Sequence, residues 1–455
     1  MRVTIVKSSW IKEDGCRLDC SPYTDGGIVY WHKLNDSATS KCRLEELLEP
    51  GRKGNYKGKL LTRIYTDDES SSVPYLTTTG MLLRHFDFLP RLVNRIAQKD
   101  PLCFVSEQDI LISAAGTIGN LSIVNKQMVG AFTSSDNIRL RVNGVKASPF
   151  YIFSFLRSKY GKTQLENGSY GSIIRHLSTD HVAKLIVPRM ADIEMSVAQL
   201  MRSAFTKREE ANALIINASD ALDKLLTDSK LHRISGQIPF GVEIVGSSLV
   251  QKRMDAKFHS SLHKNVIDQL DGKSLDSYNV RVYEPKRFKR NEADNGTDFY
   301  GTGALMKAMP EPLYKIKTKD AKDYLIDGKT LLIPRSGQLS GIVGHVVLPV
   351  GKLTESAISE DAIRIICESE EDAAFIFICL RSEFSRRQLK SRTFGSSIPH
   401  LDVDNIKKVI LPEVPVTIRN KVISDVLSAK RFYDESEREE LQAIKLLEDF
   451  LDKEL

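Results

Sequence analysis

The chain has 455 residues, too many for one ordinary hydrophobic core, so about two to four domains are expected. Its composition, 41% apolar and 27% charged, is that of a globular protein without low-complexity tracts. A net charge of +6 neither demands nor excludes nucleic acid, because only local clustering builds a phosphate-binding surface. No stretch approaches the roughly 20 continuous apolar residues of a membrane span, and "MRVTIVKSSW" lacks the apolar core of a secretory signal. A cytoplasmic location is the expectation. Cys16, Cys20, Cys42, Cys103, Cys367 and Cys379 are scattered, which suits a reducing compartment, and no Cys/His spacing suggests zinc.

In chain order, the first motif is "RLDCSPY" (Arg17–Tyr23). The run "GRKGNYKGK" (Gly51–Lys59) follows, carrying Arg52, Lys53, Lys57 and Lys59 with no acid among them. "PYLTTTGML" holds Thr77 and Thr78 in a loop near a strand, and "ILISAAGTIGNLSIV" (Ile110–Val124) reads as two short strands around a glycine turn. "SDNIRL" comes next, then one helix over "FYIFSFLRSKYGKTQLE", with Ser148 as its N-cap and Pro149 in its first turn. "YGSIIRHLSTDHVAKLIVP" (Tyr170–Pro188) supplies a turn and a closing strand that proline ends. From 191 to 227 apolar residues recur in steps of three and four through Ile193, Val197, Leu200, Ala204, Ala211, Leu214, Ala218, Ala221 and Leu225. That spacing predicts the seam of a long helix.

The same order then returns. "RMDAKFH" (Arg253–His259) heads it, and "PKRFKR" (Pro285–Arg290) holds Lys286, Arg287, Lys289 and Arg290. "FYGTGAL", "KTLLIPRSGQLSGIVGHVVLP" with Arg335, Ser336 and Gln338, and "EDAIRI" follow. A second helix opens on Ser369 with Glu370, Glu371 and Asp372, where the helix dipole favours carboxylates. "FGSSIPHLDVDNIKKVILP" closes the copy. Residues 156–188 match 380–412 without gaps at an offset of 224, with 14 of 33 positions identical. A second apolar seam runs from 416 to 455 through Ile418, Val422, Val426, Ala429, Tyr433, Leu441, Ile444, Leu447 and Leu451. Each long helix would span on the order of 55–60 Å.

The expected fold class is therefore mixed α/β, built as a tandem duplication. The first domain covers 1–190 and its helix 191–232; the second covers 240–413 and its helix 414–455. Antiparallel pairing of the helices would relate the copies by a pseudo-two-fold axis, which suits duplex DNA. Both basic runs stand at equivalent positions, which points to phosphate contact, with guanine contact also open to them. Leu200, Leu214, Leu225, Val422, Leu447 and Leu451 are the seam residues expected to carry the spacer and partner docking. Ser172, Ser396, His176 and His400 fit turn capping or core packing as well as they fit a site.

No catalytic centre is legible. "FYGTG" (Phe299–Gly303) has the Phe-x-Gly-x-Gly pattern of S-adenosylmethionine sites, but no strand precedes it and the other copy lacks it. The chain has no Pro-Pro dipeptide, no phosphate-binding loop and no metal-ligand cluster in sequence.

The duplicated order of these motifs resembles the specificity subunit of type I restriction-modification enzymes over nearly the whole length. The basic loop at 51–59, Arg175 in place of Pro399, and the insertion in "GQLSG" depart from a strict repeat. The resemblance implies a non-catalytic subunit with two target-recognition domains, each reading half of a split, asymmetric double-stranded DNA site. It implies spacer helices that dock two methyltransferase subunits, which bind S-adenosylmethionine. Motor-nuclease subunits would bind ATP and Mg²⁺, and this chain itself would hold no cofactor. Two other classes remain open on the sequence: a coiled-coil scaffold whose paired domains bind protein or RNA, and a self-contained DNA-modifying enzyme.

Overall fold

The computed structural model describes residues 5–13, 23, 27–86, 89–167, 176–228, 242, 244–251, 253–259, 271–338, 341–395 and 397–454. The chain divides into two compact units: Met1–Glu209 with Ser436–Leu455, and Glu210–Glu435. The class is mixed α/β. "RLDCSPY", apart from Tyr23, lies outside the described residues, as do Cys16, Cys20, Ser172, Arg175 and Ser396.

In the first unit the strands are β1 (Lys41–Arg43), β2 (Asn55–Lys57), β3 (Ser72–Leu76), β4 (Arg91–Val93), β5 (Ile110–Ser113), β6 (Leu121–Ile123), β7 (Phe132–Thr133), β8 (Asn137–Leu140) and β9 (Ile186–Pro188). They form a sheet ordered β2-β8-β5-β6, a sheet β4-β3-β7 and a pair β1-β9. All pairings are antiparallel except β3 with β7. In the second unit the strands are β10 (Gly272–Ser274), β11 (Arg281–Tyr283), β12 (Glu292–Tyr300), β13 (Tyr314–Ile316), β14 (Thr330–Pro334), β15 (Ala357–Ile358), β16 (Ala362–Ile366) and β17 (Ile410–Pro412). Their sheets are β11-β16-β14 and β13-β12-β15, with a pair β10-β17, and again one pairing, β12 with β15, is parallel. The duplication read in the sequence is thus a duplication of strand order and direction. One difference is local: the partner of β14 is reduced to a single bridge, Leu332 with Val347, where the first unit has the full strand β6.

The helix expected after each second sheet is two helices. Pro149–Arg157 (α1) ends at Ser158 and Lys159–Asn167 (α2) begins there; Glu370–Arg381 (α4) and Glu383–Ser391 (α5) break at Ser382. Both serines have extended backbone. The Ser158 hydroxyl donates to the Phe155 carbonyl at 2.6 Å and accepts from the Gly161 N–H at 3.3 Å. Ser382 does the same with Cys379 at 2.7 Å and Ser385 at 3.2 Å. A serine hydroxyl offers the backbone an alternative to the helical bond, so one residue ends a helix and caps the next. The Ser148 and Ser369 caps form as expected, accepting from Phe150 and Asp372.

The repeated closing segments have a structural purpose. Gln164 and Gln388 are buried, and each lays its amide along the closing strand. Gln388 donates to the Ile410 carbonyl and accepts from the Ile410 N–H, both at 2.9 Å; Gln164 does so with Ile186 at 3.2 and 3.0 Å. The His-Leu step then ties back to the β5 and β14 ends. His176 bridges Ala115 and His400 bridges Ser336, while the Leu177 and Leu401 N–H groups donate to Ala114 and Arg335. In the second unit the turn before His400 is closed by reciprocal Phe394–His400 backbone bonds, with Gly395 at φ +94°, where a Cβ would sit 2.9 Å from the Ile398 carbonyl. The "RMDAKFH" head is likewise structural: Arg253 donates to the carbonyls of Arg392 and Thr393 at the end of α5 and pairs with Asp255.

The long helices are α3 (Ala191–Asp228) and α6 (Val416–Glu454). The first unit holds the N-terminal half of α3 and the C-terminal half of α6, and the second unit holds the complementary halves, the distribution that antiparallel helices give. The fully buried stripe of α3 is Val197, Met201, Ala204, Ala211, Ile215, Ala218, Leu222 and Leu226. Val197, Ala204, Ala211 and Ala218 were expected there. Leu200, Leu214 and Leu225 were also expected, but they are half-buried on the flank, and the next residue takes the seam instead. With apolar residues at adjacent positions, a period of 3.6 accepts a step of three or four equally well; packing decides. On α6, Val422, Leu447 and Leu451 are buried as expected, whereas Leu441 is exposed. The α6 stripe also takes in Ser436 and Glu440, both buried.

These polar seam positions are all satisfied. In the first unit Glu440 receives Arg208 at 2.5 Å and Arg157 at 3.2 Å, and the Ser436 hydroxyl donates to the Ala204 carbonyl at 2.6 Å. In the second the Tyr433 hydroxyl donates to Asn212 at 2.6 Å. Burial pushes the Glu440 carboxyl pKa up, but the two arginines outweigh it and hold it below the usual value. A carboxylate depressed in this way contributes stability that is complete above its unfolded pKa of about 4.3 and is lost as pH falls through the folded value. Glu440→Gln is therefore expected to cost about 3 kcal/mol near neutral pH and to flatten the loss of stability on acidification. Denaturant midpoints from pH 7 down to acid would check it. Gln388→Leu would leave the N–H and carbonyl of half-buried Ile410 without that partner, a loss of about 1–3 kcal/mol by the same measurement.

Candidate nucleic-acid interface

Both basic runs lie at an edge strand of the first sheet of their unit. In the first unit Arg52 and Lys53 precede β2, Lys57 ends it and Lys59 follows it. In the second, Lys286, Arg287, Lys289 and Arg290 follow β11, the topological equivalent of β2. Arg52, Lys53, Lys59, Lys286, Arg287 and Lys289 are exposed, and Lys57 is half-exposed. Among the described residues, no carboxylate lies at ion-pair distance from Lys53, Lys57, Lys59, Lys286, Arg287 or Lys289.

Beneath each run sits one buried acid. Asp100, 4% exposed, accepts the Tyr56 hydroxyl at 2.7 Å and the Lys59 backbone N–H at 2.9 Å. Arg52 lies over the Tyr56 ring, 4.6 Å from its centre, and donates to the Tyr56 oxygen at 2.8 Å. Burial, with the carboxylate beside it, pushes the Tyr56 phenol up to about 12, so it stays a donor to Asp100. In the second unit the acid is Glu360, 7% exposed, which takes Arg290 through two bonds of 2.7 Å. Arg290 also lies over Phe299, 4.7 Å from the ring centre. Phe288 stacks on Tyr324 at 3.6 Å, and the Tyr324 hydroxyl donates to the Lys286 carbonyl at 2.8 Å.

Several residues expected at the interface are thereby occupied within the fold. Arg290 serves Glu360 and Phe299 rather than standing free. Arg335 pairs with Glu284, and Ser336 shares a 2.6 Å hydrogen bond with His400 Nδ1. Thr77 Oγ1 accepts the Gly80 N–H at 2.8 Å and closes the turn after β3. Thr78 is half-exposed and Gln338 is exposed. Contrary to the sequence expectation, a strand does precede "FYGTG": β12 runs over Glu292–Tyr300 because it pairs with β13 and β15, and Phe299 and Tyr300 at its end lie in the core. Among the described residues no group of three or more His, Cys, Asp or Glu could hold a metal, and no helix is long and apolar enough to cross a membrane.

Sequence reading overlooked the groups that hold the runs in place: Asp100, Glu360 and the fully buried Arg139 and Arg364. The arginines were visible in "SDNIRL" and "EDAIRI", each amid apolar residues at the same place in both copies. Glu360 feels burial upward, yet its bonds to Arg290 hold it below the usual carboxylate range. Arg290→Ala strips that buried acid of its partner, so it is expected to destabilise the second unit by about 2 kcal/mol, discounted for the partial exposure of Arg290. Thermal or denaturant unfolding would show the loss, with Lys289→Ala close to neutral.

Residues 280–446 match the family described as the type I restriction modification DNA specificity domain. No curated protein sequence matches the chain. Three solved structures are similar to it at low identity. The S subunit of a type I restriction-modification system from M. genitalium is 14% identical, with 92% of this chain and 96% of that one covered and a TM-score of 0.35. The HsdS subunit from Thermoanaerobacter tengcongensis is 13% identical, covering 91% and 96% at a TM-score of 0.28. A chain from work on complex assembly and conformational transition of the type I R-M system is 15% identical, covering 91% and 97% at 0.27. Likeness at these scores is weak and carries no argument. Over residues 280–446, a little over a third of its length, the chain is thus similar to the type I restriction modification DNA specificity domain.

Proposed function

We propose that the chain is the DNA specificity subunit of a type I restriction-modification complex and that its two units are target-recognition domains, each reading half of a split, asymmetric site. The observation that carries this reading is the repeated placement of unpaired cations at the same edge strand of both units, each run seated on a buried acid. Such a surface is suited to phosphate oxygens, which supply affinity and register, while the exposed side chains nearby are free to meet base edges. The long helices serve as spacer and as the docking surface for two methyltransferase subunits. S-adenosylmethionine belongs to those partners, ATP and Mg²⁺ to motor-nuclease subunits, and the assembly works in the cytoplasm.

The test is binding of the full chain to duplex DNA across a salt series. Lys286→Ala, Arg287→Ala and Lys289→Ala together are expected to weaken binding and to lower the salt slope by about 2 to 3, since each phosphate contact contributes about 0.9. A folded variant with the parental slope would remove these residues from the interface. Selection from random duplexes is expected to return two short defined segments separated by an unspecified gap; one uninterrupted site would defeat the split-site reading.

A further inference from the structure

Arg139 in β8 and Arg364 in β16 occupy equivalent places in the repeat, and each is only 1% exposed. Their strand neighbours Ile138, Leu140, Ile363 and Ile365 are apolar and completely buried. A guanidinium in such a place costs free energy unless its donors are used, and an aliphatic side chain would fill the space without that cost. Its partners therefore indicate its purpose.

Arg139 Nε donates to the Leu102 carbonyl at 3.0 Å, Nη1 to the Lys53 carbonyl at 2.9 Å and Nη2 to the Arg52 carbonyl at 3.2 Å. Asp109 lies 3.8 Å from Nη1 and is shared with Arg141, which donates to it at 2.8 and 2.7 Å. One side chain thus grips the backbone of the first two cations of the run. It also grips the turn whose Asp100 holds the backbone of Lys59. Arg364 is wired differently to the same end. Its Nη2 donates to the Ile358 carbonyl at 2.6 Å, and Nη1 donates to the carbonyls of Ser359, at 2.8 Å, and Ala362. That turn carries Glu360, which grips Arg290 at the end of the second basic run.

We propose that Arg139 and Arg364 are positioning residues for the nucleic-acid interface: Arg139 directly fixes the backbone that presents Arg52 and Lys53, and Arg364 fixes the segment whose Glu360 holds Arg290 at the end of the second basic run. The inference rests on the DNA-binding reading above. It depends on the fork of a guanidinium, because an ammonium at the same place keeps the charge but cannot reach three diverging carbonyls.

The experiment measures duplex affinity and salt slope for the full chain, for R139K, for R52A/K53A and for the triple variant. R139K is expected to fold and to bind roughly three- to tenfold more weakly, with a slope lower by about one to two. The triple variant is expected to be no weaker than R52A/K53A, because both changes act through the same cations. A residue that only stabilises the fold gives additive losses, and that outcome, or parental binding by R139K, overturns the proposal. R364K against K286A/R287A/K289A repeats the cycle in the other unit if R139K does not fold. If neither lysine variant folds, the arginines are scaffold alone and the proposal fails. A parental chain indifferent to duplex DNA removes the DNA reading itself, whereas parental binding with additive cycles removes only the positioning role.

Discussion

Short strands leave buried backbone groups that a longer ladder would have paired, and this chain is built largely from strands of two to five residues. An unpaired N–H or carbonyl in the interior costs more than a made bond returns. Side chains therefore complete what the strands cannot. Gln164 and Gln388 each act as an extra strand edge beside Ile186 and Ile410. Ser158 and Ser382 close one helix and open the next. Arg139 collects carbonyls from the short helical turns around Arg52 and Leu102, and Arg364 from the link between β15 and β16 and the strand residues flanking it. These residues recur in both units because a change at one would leave several buried groups without partners.

The same constraint separates scaffold from interface. Cations that the fold needs are tied to acids or carbonyls: Arg290 to Glu360, Arg335 to Glu284, Arg253 to the end of α5. Those at the edge-strand exits have no such ties and stay in solvent, where they contribute little to stability. Exposed cations without internal partners are the ones a polyanion can recruit. The surface near β2 and β11 is thereby open to change in sequence, while the groups beneath it are not.

In the helix seam, polar residues are spent on specificity. An apolar stripe alone would accept shifted registers. The pairing of Glu440 with Arg157 and Arg208 in the first unit, and of Tyr433 with Asn212 in the second, is satisfied at one register only, because a slip would bury each group unpaired.

Much of this could be read in the sequence. The duplication, the mixed class, the helix caps at Ser148 and Ser369 and the two long amphipathic helices follow from identity at fixed spacing, from capping chemistry and from periodicity. These are local properties that neighbouring residues settle among themselves. Other features needed the tertiary structure. Whether Leu200 or Met201 enters the seam depends on which face packs, and a helical period near 3.6 does not say. Whether Arg290 or Lys289 is available to a ligand depends on Glu360, which lies 70 residues away in sequence. That "IRL" and "IRI" carry buried guanidinium anchors depends on carbonyls contributed from Arg52, Lys53, Leu102 and Ile358, brought together only when the sheets form. Composition and pattern state what a residue can do, but its partners come from distant segments, and the partners decide which of those things it does.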